Sequence, residues 1–129
     1  DAQLQLLLGQ PLQGQKVILR DTLAEFDSLA EQTNDMLKAW ATGDDGAMAE
    51  LIRSQSSDSA EAQLFLKQLL DDRNVHMAER IATMLNGSGR YYVLVGSAHL
   101  AGSQSVITEL RRLGFSGQRI YSDDASIIQ

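Results

Sequence analysis

Tyr91-Tyr92-Val93-Leu94-Val95-Gly96-Ser97-Ala98-His99 is the stretch that decides the fold class. Up to Arg90 the apolar residues recur every three or four positions. From Tyr91 they run almost without interruption and stop at Gly96. A short continuous apolar run is the pattern of a strand buried on both faces. After the loop 97–102, Ser103 is placed to cap a helix with Val106, Ile107, Leu110 and Leu113 on one face, and Gly114 closes it. Residues 118–122 then read as a second strand. Strand, helix, strand predicts a βαβ unit over 90–122, with parallel strands and a right-handed crossover. A parallel sheet needs several strands covered on both faces. The expected fold class is therefore α/β, and residues 1–129 are expected to be a single partial domain of something larger.

Upstream, residues 1–86 read as mainly helical. A glutamine-rich start with Pro11 gives way at Lys16 to Leu19, Leu23, Phe26, Ala30, Thr33, Leu37 and Trp40, spaced as one amphipathic helix that Gly43 ends. Asp44 or Asp45 then caps a short helix that turns Met48, Leu51 and Ile52 inward. Asp58 and Glu61 have the spacing of a capping box. Leu64, Phe65, Leu69 and Leu70 form one apolar face, and Met77, Ile81, Met84 and Leu85 another. Asp71, Asp72, Arg73 and Asn74 lie between them, inside one long helix or at a break between two.

Composition narrows the function classes. The chain is 43% hydrophobic and 22% charged, ordinary for a globular protein and wrong for a disordered one. Its net charge of −6 argues against nucleic acid, whose backbone calls for clustered Lys and Arg. With no cysteine, disulfides, thiolate catalysis and zinc ribbons are excluded. No apolar run approaches the length of a membrane span. The first residue is Asp1, as in a processed or cut product.

His99 is the leading candidate for chemistry. In open α/β sheets, sites collect where strand ends meet helix N-termini. An imidazole there is a general base or a metal ligand, and equally a loop histidine satisfied by a backbone carbonyl. Ser97 lacks the flanking glycines of a nucleophile elbow. The glycines match neither a P-loop nor a dinucleotide fingerprint. Arg73 and Asn74 close a helical face, where charge clusters are usually solvated. His76 falls between apolar positions and is expected to face water. Two histidines and scattered carboxylates do not complete a catalytic metal site.

Two motifs in order add a resemblance. Arg73-Asn74-Val75-His76-Met77-Ala78 on a helix, followed by Tyr92-Val93-Leu94-Val95-Gly96-Ser97-Ala98-His99-Leu100, resembles the Arg-Asn-x-x-Met-Ala and Gly-x-x-His-Leu elements of the TraB/GumN family. Val106–Gly114 and Ala39-Trp40-Ala41-Thr42-Gly43-Asp44 are similar to further segments of it. The resemblance implies a larger EreA/ChaN-like domain, related to Tiki metalloproteases, erythromycin esterases and haem-associated ChaN proteins. Its site is built from two Gly-x-x-His motifs, an acidic residue after the first, and an arginine. His99 would then be the second histidine and a metal ligand, with Arg73 the arginine and Asn74 beside it in the site. The first motif does not occur in these residues.

The implied protein is thus a C-terminal fragment of a metal-dependent hydrolase, a peptidase being one form. It is expected to be inactive and without stably bound metal by itself, and to use a divalent ion when complete. Its expected partners are the N-terminal half of the same domain and further copies of itself, with a periplasmic or secreted location. The alternatives are a non-catalytic ligand- or peptide-binding regulatory protein and a haem- or iron-associated protein of ChaN type.

Overall fold

A computed structural model describes residues 5, 8–54 and 59–120. Of the described residues 71% are helical, and none is in a strand. The helices are α1 (Leu12–Ala24), α2 (Leu29–Thr42), α3 (Asp45–Ser54), α4 (Ala60–Leu66), α5 (Asp72–Leu85) and α6 (Val106–Arg112). Short 3₁₀ turns at Phe26–Ser28 and Ser97–His99 and a π turn at Lys67–Asp71 link them.

This overturns the α/β class and the parallel βαβ unit over 90–122. A strand exists only through a ladder of hydrogen bonds to a neighbour, and neither run has one among the described residues. Residues 91–95 have no regular structure, and Tyr92 and Leu94 are 91% and 82% exposed rather than buried on both sides. Residues 118–120 have no regular structure, and 121–122 lie outside the described residues. Of the proposed unit only the helix survives, and its cap is Ser105 rather than Ser103. The Ser105 Oγ accepts from Thr108 N at 3.2 Å.

Upstream the helical reading holds, with two corrections. The stretch from Lys16 to Thr42 is two helices, because the ladder breaks at Glu25 and passes through the 3₁₀ turn. The apolar stripe of this amphipathic stretch is also largely uncovered: Leu19, Leu23, Phe26, Leu37 and Trp40 are all more than half exposed. The buried positions on these helices are Gly14, Val17 and Ala39. Gly43 caps α2 as expected, at φ 67°, and Asp44 Oδ1 accepts from Ala47 N at 2.9 Å to start α3. A side chain at Gly43 would meet Arg119, whose Nη2 donates to the Gly43 carbonyl at 2.9 Å and whose Nη1 donates to Asp45 at 2.6 Å. The capping box includes Asp58, which is outside the described residues; α4 is capped by Ser59.

The open question at residues 71–74 resolves as continuity. Helix runs from Ala60 to Leu85 with the π turn inside it. A π turn is one extra residue accommodated in a helix, and it re-aims the side chains that follow. Among the described residues the buried apolar ones are few: Val17, Ala39, Met48, Ala62, Ala78 and Val106. Helix α5 packs against α6, with Ala78 on the first and Val106 on the second both buried, and that contact holds the loop after residue 96 in place.

Candidate functional site

Asn74 organises the candidate site. It stands in the first turn of α5, directly after the π turn, and is only 2% exposed. Its Nδ2 donates to the Gln104 carbonyl at 2.6 Å. Its Oδ1 lies 2.7 Å from His99 Nδ1. The Gln104 carbonyl can only accept, so the amide nitrogen must face it and the amide oxygen must face the histidine. That oxygen in turn can only accept, so His99 carries its proton on Nδ1. In the neutral ring Nε2 therefore keeps its lone pair.

One buried amide thus ties both ends of the loop to α5, His99 near its start and Gln104 near its end. The loop approaches α3 closely. Gly102 adopts φ 84°, and a Cβ there would sit 3.2 Å from the Ala49 Cβ. Ser105 follows, nearly fully buried, and starts α6.

Arg73 is half-buried, and its Nη1 donates to the Leu69 carbonyl at 3.4 Å. Leu69 sits in the π turn, where the regular i→i−4 ladder is interrupted. Burial lowers the His99 pKa below its ordinary 6.5, and the nearby Arg73 charge lowers it further. Both effects oppose the imidazolium, so the ring is neutral near pH 7. Chemically this is an imidazole with an available Nε2 next to a planar cation that can take two oxygens of one anionic group.

The structure therefore brings Arg73, Asn74 and His99 together. His76 stays apart: its side chain is 78% exposed and 3.5 Å from Glu79. Among the described residues no three His, Cys, Asp or Glu side chains converge on a possible metal position. His99 Nε2 is a single ligand, and catalytic zinc sites ordinarily use three from the protein. The donors present do not fit a divalent ion by themselves.

Sequence reasoning had no means of finding the Gln104 and Leu69 carbonyls, because a backbone acceptor leaves no trace in residue type. The π turn had only an indirect signal, the uncertain boundary at 71–74.

The family profile described as TraB/PrgY/gumN family matches residues 1–119. No curated protein and no solved structure matches the chain.

Proposed function

The chain belongs to the TraB/PrgY/gumN family, and on that basis we propose that it supplies the His99–Arg73 part of a hydrolytic site. The observation that carries this reading is the Asn74–His99 hydrogen bond, which leaves Nε2 as the working nitrogen. In the proposed reaction Nε2 takes a proton from water as the water attacks a carbonyl or phosphoryl centre, and the imidazolium returns it to the amine or alkoxide that leaves as the scissile bond breaks. The Arg73 guanidinium stabilises the negative charge that develops on the oxygen. Asn74 neither gives nor takes a proton; it fixes the ring's tautomer and angle. Two further groups that the family resemblance implies, the histidine of the first Gly-x-x-His motif and the acidic residue after it, are not among these residues. Metal dependence would require those additional donors.

The exposed stripe of Leu19, Leu23, Phe26, Leu37 and Trp40 supports a second element of the proposal, association through α1 and α2. Light scattering across a concentration series tests it, and a monomer at all concentrations would remove it.

Peptide and ester hydrolysis by the gene product that carries this chain, with and without added divalent ions, tests the main reading. His99→Ala should lower the rate by roughly 10²-fold or more, the usual contribution of a positioned acid–base group. Circular dichroism should be unchanged. A His99→Ala protein with the full rate overturns the proposal.

A further inference from the structure

Beside the candidate site lies a cavity of about 330 Å³ whose walls are mostly apolar. Phe65, Leu66 and Leu69 come from the α4–π segment, and Ile18 and Met36 come from α1 and α2. Ile52, Leu70 and Ala98 line this cavity and also the small crevice next to Asn74 and Gln104. The cavity and the site thus share a wall. Ala98 precedes His99 directly, and the Leu69 carbonyl that holds Arg73 belongs to a cavity-lining residue.

Its volume is at the lower end of the roughly 300–1,000 Å³ typical of ligand pockets, room for one large side chain rather than a folded partner. The charged residues on its wall are both acidic, Asp21 and Glu25. Asp21 is paired with Arg20 at 2.9 Å, and Glu25 leaves that wall with a net negative charge. An anionic group entering the cavity would lose its hydration and face a like charge.

We propose that this cavity is the specificity pocket of the His99 site, and that it takes an uncharged apolar side chain of leucine to phenylalanine size from the substrate. The assignment rests on the hydrolase reading for its substrate, but the pocket itself is testable without turnover. The substrate class follows: peptides or acyl esters with a bulky apolar residue next to the scissile carbonyl, with acidic residues rejected at that position. Among cleaved substrates, leucine over glycine should gain roughly 10- to 100-fold in kcat/KM, the range in which apolar pockets discriminate by size.

The experiment is a methyl NMR titration of the protein with the amides of N-acetyl-leucine, N-acetyl-phenylalanine, N-acetyl-glycine and N-acetyl-glutamate. The Ile18, Ile52 and Met36 methyl signals should shift saturably with the first two probes and not with the last two. Thr22 is an exposed residue at the cavity's edge, so Thr22→Trp fills the entrance without disturbing the core. That variant should abolish the shifts while leaving the His99 ring signals in place. Equal responses to all four probes, no saturable response, or shifts that survive Thr22→Trp overturn the pocket. Selective binding in a protein whose hydrolysis ignores His99→Ala upholds the pocket and removes the hydrolase reading alone. A rate that depends on His99 but shows no preference among the four side chains does the reverse.

Discussion

Replacing Asn74 with leucine tests the core of the site argument in one step. The side chain is 2% exposed and makes two hydrogen bonds, at 2.6 Å to the Gln104 carbonyl and 2.7 Å to His99 Nδ1. Leucine keeps the branched shape without polar atoms but is bulkier, so overpacking at this buried position adds to the loss of the hydrogen bonds. Losing each bond costs about 1 kcal/mol where water replaces the partner and up to ~2 kcal/mol where a half-buried partner is left unsatisfied. Summed over the Gln104 carbonyl and the His99 ring, the expected loss is roughly 2–4 kcal/mol, a large share of the ~5–15 kcal/mol that holds a domain together. With a urea m-value of about 1.5 kcal/mol/M, the midpoint should fall by roughly 1.3–2.7 M at unchanged m. The ¹⁵N chemical shifts of the His99 ring supply a second readout. The wild type should show protonated Nδ1 and bare Nε2, and the variant a mixture of tautomers. A midpoint within 0.3 M of wild type, or a wild-type ring with its proton on Nε2, refutes the reasoning about Asn74 and the tautomer together.

The depressed pKa of His99 gives a signed pH dependence. Above the unfolded value of 6.5 neither state binds the proton, and the folded state has its full stability there. Below 6.5 the unfolded chain takes up a proton that the folded one resists, so stability falls with pH until the folded pKa is passed. Urea midpoints between pH 8 and 5 should show this slope, and His99→Gln should flatten that part of it. Ser105→Ala removes the cap of α6, whose Oγ accepts from Thr108 N at 3.2 Å, and should cost about 1 kcal/mol by the same assay. Ala78, on α5 with no exposed surface, has no room to grow. Ala78→Leu should destabilise by ~1–3 kcal/mol through overpacking, and a stabilised variant would mean that α5 is not closely packed there.

The sequence by itself determined the features whose causes are local. The helical character of the stretches from Lys16 to Ser54 and from Ala60 to Leu85 was legible, though not the break at Glu25, because spacing and the left-handed glycine at 43 act within one or two turns. The motif around Arg73, Asn74 and His99 was legible as a pattern of residue types. Tertiary structure decided what depends on a partner distant in sequence. Periodicity says that an amphipathic helix forms but not which face finds a neighbour, and here Val17 and Ala39 are covered while Leu23 and Trp40 are not. An apolar run says that residues 91–95 favour an extended backbone, but a strand is a relation between two segments, and the described chain offers none to pair with. Asn74 and His99 were likewise two separate candidates in the sequence. Only the packing of α6 on α5 carries the loop to the amide, and only the acceptor character of the Gln104 carbonyl turns that amide so that Nε2 is left bare.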